Sequence, residues 1–365
     1  SLAVVGAVLA MYGLWQVVVR LPLGILIDAV GRQKLFLVGG LLVGSVGVLV
    51  LGITGAVPAL YLGRSLSGIS MGIWVPFVVV FNNFFPAHQS VRATAVLTLV
   101  TAAARITAAP LNGYLNEWGG AGLAFYVAAA AAVVAAVLVV PVPVDSRPAG
   151  APKLKGLLEL FLRKSVVVPS LLGAINQYVV FGVSLGFMPV LARQLGAGDV
   201  VLGYLAMVNL IFFLLGNLAA SSSGSRVRSQ TLILASYLLF AVGIGACALT
   251  RSISVLFVIQ GCLGVAHGVG YPVLMGLTIR AVPVQSRNGV VGLHQSVYAA
   301  GIFLGPWACG ALGEALGIRP MFALTAALVL ALGTTGAIVL SRHPAPSADP
   351  PAGRRAERPG RDTTV

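Results

Sequence analysis

Eleven predominantly apolar stretches, each long enough to cross a bilayer, follow one another along the chain. They lie near 3–27, 35–54, 58–82, 93–115, 122–141, 167–191, 200–220, 230–249, 253–279, 288–312 and 320–341. A spanning helix needs about 20 such residues. In hydrocarbon every backbone N–H and C=O must find its partner inside the segment, so each stretch is expected to be an α-helix. Composition agrees. Charged residues make up 9% of the 365-residue chain and hydrophobic residues 58%, whereas a soluble domain carries roughly 25% charged residues. The reading is an all-α integral membrane protein with the lipid bilayer as its main partner.

The net charge of +14 does not indicate a nucleic-acid partner, because the basic residues are scattered between apolar runs and form no aromatic-interleaved patch. They set an orientation instead. With the first stretch running inward, Arg32, Lys34, Arg92, Lys153, Lys155, Arg163 and Lys164 fall on the cytoplasmic side, as do Arg226, Arg280 and the arginines after 341. Only Arg193, Arg251 and Arg319 are left outside. That asymmetry is the positive-inside pattern. It places a multi-pass protein in the cell inner (cytoplasmic) membrane with its C-terminus in the cytoplasm. The excess of Arg over Lys fits a bacterial source. The first stretch is too long for a signal peptide, and it ends in Gly-Arg-Gln-Lys instead of a small-residue cleavage site. Because it starts outside, and Ser1 is not a start methionine, one further helix is expected upstream.

The organisation reads as four parts. Residues 1–141 are an N-terminal half. Residues 142–166 are a cytoplasmic linker, Pro-rich at first and then an amphipathic segment, Lys153–Lys164, suited to the membrane surface. Residues 167–341 are a C-terminal half. Residues 342–365, rich in Pro, Ala and Arg, are expected to be disordered.

The two halves repeat each other. Arg64-x3-Gly68-x3-Gly72-x3-Pro76 corresponds to Gln260-x3-Gly264-x3-Gly268-x3-Pro272, and Arg105-x3-Ala109-Pro110 to Gly301-x3-Gly305-Pro306. Gly113-x3-Glu117 returns, shifted by one, as Gly310-x3-Glu314. Parallel repeats of six helices place a substrate near the bilayer midplane between the halves. Here the second half has six stretches and the first has five.

The first cytoplasmic break reads Gly24-Ile-Leu-Ile-Asp28-Ala-Val-Gly31-Arg32-Gln-Lys34. This resembles the loop motif between spans two and three of the major facilitator superfamily, where it serves as a gating latch. The resemblance implies a two-fold pseudo-symmetric bundle with 11 of 12 helices present. It gives Gly24 to close helix approach, Asp28 to an ion pair or helix cap, Gly31 to the turn, and Arg32 and Lys34 to the inner face. The second-half counterpart, ending in Gly224 and Arg226, lacks the acid. Arg64-x3-Gly68-x3-Gly72, followed by Pro76, is similar to the family's span-four Arg motif, tied to proton transfer in proton-coupled members. Gly301-x3-Gly305-Pro306, and the degenerate copy ending Pro110-x2-Gly113, resemble the Gly-Pro motif of antiporters. The degraded copy is the one on span five, where antiporters carry the motif.

Polar groups at membrane depth are functional candidates, since each costs free energy to bury. Arg105 lies 13 residues past Arg92, about 20 Å from the inner surface at ~1.5 Å per residue. Arg64 lies about 9 Å from the outer face. Both can line the pathway, or snorkel and bind carbonyls at helix ends. Arg20 can serve the site or support the latch. Asn176, Gln177 and Tyr178 begin near the midplane, and Asn209 has similar depth. Each can be a site residue or an interhelical hydrogen bond. His267 and His294 can carry protons near neutral pH or pack as satisfied core residues.

All nine acids fall in loops, tails or span ends, so no carboxylate sits mid-membrane, where a proton-coupled exporter of cations usually needs one. There is no P-loop, no GxSxG and no HExxH. No enzyme activity, cofactor or metal is expected. Three isolated cysteines, Cys247, Cys262 and Cys309, make neither a disulfide frame nor a zinc site.

The first expectation is a monomeric secondary transporter of small molecules working by alternating access and driven by protons, with export of small organic compounds favoured on the Gly-Pro motif. The alternative is uptake or exchange of a small organic anion by Arg64, Arg105 and Arg20. A receptor on a transporter scaffold is the remote third reading.

Overall fold

The computed structural model describes residues 1–86, 89–144, 154–223, 227–283 and 287–342. Among them, eleven helical spans match the eleven apolar stretches. In the first half these are α1 (Leu2–Val30), α2 (Gln33–Ile53), α3 with α4 (Val57–Ser70, Trp74–Asn83), α5 (Ser90–Gly119) and α6 (Ala121–Val139). A short α7 (Leu154–Phe161) follows. The second half holds α8 with α9 (Lys164–Tyr178, Met188–Gln194), α10 (Asp199–Ser223), α11 (Ser229–Leu249), α12 (Ile253–Arg280), α13 (Arg287–Leu316) and α14 (Ile318–Arg342). Ten spans are both long and apolar enough to cross a membrane. The eleventh, α5, has the length at 30 residues.

Local sequence explains the interruptions. Pro76 has no N–H to give to the preceding turn, and the turn before it, Met71–Ile73, tightens to 3-10 geometry. Between α8 and α9, Val179–Phe187 is π-helical, a departure from the plain helix that its apolar run suggests. A Cβ on Gly182 would lie 2.7 Å from the Gly305 backbone carbon, so α13 packs tightly against this stretch. α1 stops at Gly31, whose φ of 70° is the left-handed cap that glycine adopts without penalty. The turn expected there from the loop motif is thus present.

The six spans of the second half close around one apolar core. Tyr237, Phe187, Phe240 and Phe322 are fully buried in it. Beneath this core, Phe161 of α7 is buried with Val166, Val282, Val290 and Leu293. The amphipathic segment is therefore a helix over Leu154–Phe161, docked through Leu160 and Phe161. The first half buries mainly small side chains, including Ala10, Ala93, Ala124, Ala129 and Ala136. Large apolar residues such as Ile53, Leu138, Val242 and Leu249 point outward, as a lipid solvent allows. Linker residues 145–153, the second-half loop at Gly224 and Arg226, and the tail beyond 342 lie outside the described residues.

The halves meet along two seams, α1 against α13 and α5 against α10. Gly6 faces Pro306 and Gly310, and Gly13 faces Ile302 and Phe303. Gly113 faces Asp199 and Val200, and Gly203 faces Ala109 and Pro110. The Leu2 amide donates to the Glu314 carboxylate at 2.7 Å. All of these contacts lie toward the Ser1 end of the bundle. Further along the first seam the contact is lost. A Cβ on Gly24 or on Gly292 would meet nothing within 4 Å. Along this seam the halves pack closely toward the Ser1 end, and past the contact of Arg20 with Gln295 the two glycines have no partner across it.

Candidate substrate chamber

α1 presents Tyr12, Gln16 and Arg20 at every fourth residue, hence on one face. The Gln16 amide donates to the Tyr12 carbonyl at 3.2 Å and accepts from the Arg20 guanidinium at 3.0 Å. Arg20 also donates across the seam to the Tyr298 hydroxyl at 3.0 Å and to the Gln295 carbonyl at 3.3 Å. Its Cζ lies 5.3 Å from the Tyr298 ring centre. Burying an ion costs several kcal/mol. Hydrogen bonds to a charged group return about 1.5–3 kcal/mol each, and a desolvated cation–π contact about 2 kcal/mol. The balance is close, and Arg20 is spent on bridging the halves.

Arg64 and Arg105 are placed differently. The Arg64 guanidinium lies 5.1 Å from the centre of the Tyr12 ring, and its Nε is buried without a partner. Arg105 is exposed, yet within electrostatic reach of both Tyr12 and His267. Tyr12 is the group they share, and its ring stacks on Phe181 at 5.9 Å. The second half supplies a row of rings. Phe213 lies 4.4 Å from His267, His267 is 6.1 Å from Tyr271, and Tyr271 is 6.3 Å from Tyr298. The candidate chamber would thus have cations from the first half and aromatic rings from the second.

The described acids stay away from it. Asp199 pairs with Arg193, Glu314 accepts from the start of α1, and Glu117 and Glu159 are exposed near helix ends. Of Asp28, only the backbone in the last turn of α1 is described.

Other candidates fall inside the second half. The Asn209 side chain donates to Gln260 Oε1 at 2.9 Å and to the Gln260 carbonyl at 3.1 Å, and Gln260 donates on to the Ser184 carbonyl. This chain ties α10 and α12 to the π-helical stretch. Asn176 is fully buried with both side-chain atoms unpaired, close to Gly270 and Ser236. Gln177 is buried. The Tyr178 hydroxyl meets Cys309 Sγ at 3.6 Å, so it faces α13 and not the chamber. His294 is buried beside Ser170 and Thr278.

The small residues of the motifs are at close contacts. Gly68 sits 2.6 Å, measured from a Cβ position, from the Tyr12 carbonyl, and Gly72 against Val19 and Leu23. Gly301 presses on Ala174, and Gly305 on Tyr178 and Gly182. Pro110 and Pro306 lie within unbroken α5 and α13. In the loop motif, Lys34 donates to the Val140 carbonyl at 2.9 Å and Arg32 is exposed. Gly24 makes no close approach in this conformation.

Sequence reading missed Tyr12, Tyr271 and Tyr298. Their signal was present as four-residue spacing: Tyr12 to Gln16 to Arg20, His267 to Tyr271, and His294 to Tyr298.

Two bundles of membrane-crossing helices, packed on each other along two seams with cationic and aromatic side chains gathered between them, have the architecture of a membrane transporter. Comparison with known proteins gives its relatives. The chain belongs to the Major Facilitator Superfamily, whose family model matches residues 1–185 and again 170–363. The inner membrane transport protein YajR of Escherichia coli is 38% identical over 68 residues, which is 19% of this chain and 15% of that protein. Two solved structures share the fold. They are a bacterial homologue of the human lysosomal transporter Spinster, inward-facing and occupied (TM-score 0.66, 14% identity, covering 93% of this chain and 96% of that one), and the same homologue inward-facing and unoccupied (TM-score 0.66, 13% identity, 93% and 97% covered).

Proposed function

We propose that the chain carries a small organic anion with an apolar or aromatic body across the cytoplasmic membrane by alternating access. The observation that carries this reading is the placement of the Arg64 guanidinium over the Tyr12 ring with its Nε buried and unpartnered, with the described acids all elsewhere. Arg64 retains an unused donor and Arg105 faces open space. Both suit a carboxylate or similar group, and the rings from Phe213 to Tyr298 suit the body attached to it. With the basic helix ends facing the cytoplasm, the closely packed Ser1 end is external. Protons are the proposed driving ion.

Export of small organic compounds is the second reading. It is favoured by the Gly-Pro segment of α13, whose Gly301 and Gly305 bring α13 onto α8.

Binding to the purified protein in nanodiscs separates the two. Benzoate should bind, and Arg105→Ala should weaken it about 10- to 100-fold, the loss of one charged hydrogen bond or two. Tetraphenylphosphonium should not compete. Tight binding of the cation, unaffected by Arg105→Ala, would replace the anion reading with the second one.

A further inference from the structure

We propose that a groove on the lipid-facing side of the second half holds an acyl chain of an anionic phospholipid, with the lipid headgroup at Arg251. The groove lies outside the candidate chamber, and the proposal does not depend on which substrate is carried.

The groove has two walls and a floor. Phe212 of α10 and Leu239 of α11 stand on either side, and Val258, Gly261, Cys262 and Val265 of α12 lie between them. Its volume is about 420 Å³, within the range of small-molecule sites. Apart from the Cys262 thiol, the lining side chains are all hydrocarbon. A Cβ on Gly261 would already touch the Phe212 ring at 3.4 Å, so a larger side chain there would take up the space.

The floor leads to a cation. Val255, Val258, Cys262 and Val265 follow at spacings of three and four, hence on one face of α12. That stripe runs from the start of α12 into the groove. Arg251 stands two residues before the helix, with its side chain exposed. The other charges at this end of the bundle are engaged elsewhere. Asp199 pairs with Arg193, and Glu314 accepts from the start of α1. Arg319 donates to the Ala248 carbonyl at 2.9 Å, and Glu117 lies beside Gly198 at the α5–α10 seam. Arg251 makes no ion pair among the described residues.

Apolar shape alone selects no lipid, because a lipid tail is as well accommodated in the bilayer as against apolar side chains. A cation at the mouth does select, since an Arg near the membrane surface attracts anionic headgroups. The repeat supplies the contrast. In the register that matches Gln260 to Arg64, Gly261 and Cys262 correspond to Ser65 and Leu66, and Arg251 to Gly55. The first half carries bulkier residues at the floor positions and no cation at the mouth. The repeat therefore does not impose this groove on both copies.

Phospholipids with brominated chains read the groove directly. In the full chain with its four tryptophans changed to Phe, Phe257→Trp places one fluorescent reporter in the lining. In bilayers of phosphatidylcholine and phosphatidylglycerol, quenching should show about fivefold preference for phosphatidylglycerol, the ratio expected from one Arg near the surface. Arg251→Ala should remove the preference. Tyr61→Trp, at the repeat mate of Phe257, should show none. Equal affinity for the two lipids, a preference that survives Arg251→Ala, or the same preference at position 61 would overturn the proposal. So would a reporter that neither lipid quenches, since a protein surface would then cover the groove. Native mass spectrometry of the unmodified chain, released from nanodiscs of the same lipids, gives a second readout that needs no tryptophan replacement. Arg251→Ala should retain one phosphatidylglycerol fewer than the parent, and equal retention would contradict the proposal.

Discussion

The two halves are copies in sequence, but they bury their matching positions in opposite ways. In the second half, Gly301 and Gly305 of α13 lie against the α8 backbone, and bulky rings fill the space between the helices. In the first half the mates of those glycines are Arg105 and Ala109. Arg105 is exposed, and the core is lined with alanine. One copy has become a dense support and the other a charged wall. The comparison teaches that a repeat can keep its helix positions while dividing the work. Packing residues stay where helices meet closely, and a cation stands in one copy where the other has a glycine.

The sharpest way to break this comparison is to exchange the mates. Gly301→Leu places a side chain into the Ala174 backbone, and overpacking costs about 1–3 kcal/mol even without a backbone clash. The variant should unfold at least ~5 °C lower in detergent, or fail to yield folded protein. Arg105→Leu should leave the melting temperature nearly unchanged and abolish benzoate binding. Equal tolerance at both positions would mean that the halves are not divided in this way.

A middle-sized effect is expected at the polar tie of α10 to α12. Asn209→Ala removes the partner of buried Gln260 and should cost about 1–3 kcal/mol, read as a lower melting temperature. Anion affinity should stay unchanged, since Asn209 faces Gln260 and not the chamber. A loss of binding with unchanged stability would return Asn209 to the site.

The smallest effect belongs to the closely packed end of the seam. Glu314→Gln weakens the acceptor that holds the Leu2 and Ala3 amides. Being exposed, this contact should change stability little, read as a nearly unchanged melting temperature. A large fall in stability would show that the Ser1 end depends on this one carboxylate.

Much of the fold was legible because the bilayer admits so few structures. Apolar length located all eleven helices to within a few residues, and Gly31 marked its turn. The π-helical stretch was not legible. It packs against Gly305 at Gly182, a contact between residues distant in the chain. The candidate site was read from charge and not from shape. Arg64 and Arg105 stood out because a membrane penalises them wherever they lack a purpose. Tyr12 and Tyr298 did not, since tyrosine costs little at any depth, and only the four-residue spacing with Gln16, Arg20 and His294 marked them. Asn176 and Asn209 looked alike by depth, and the side of the helix they occupy decided otherwise.

The most direct test of the central claim is a structure of the purified protein with 4-iodobenzoate, the iodine located by anomalous scattering. The account predicts the carboxylate between Arg64 and Arg105 beside Tyr12, with the iodinated ring toward His267 and Tyr271. Iodine found only in the lipid-facing grooves, with the two arginines unchanged, would contradict it.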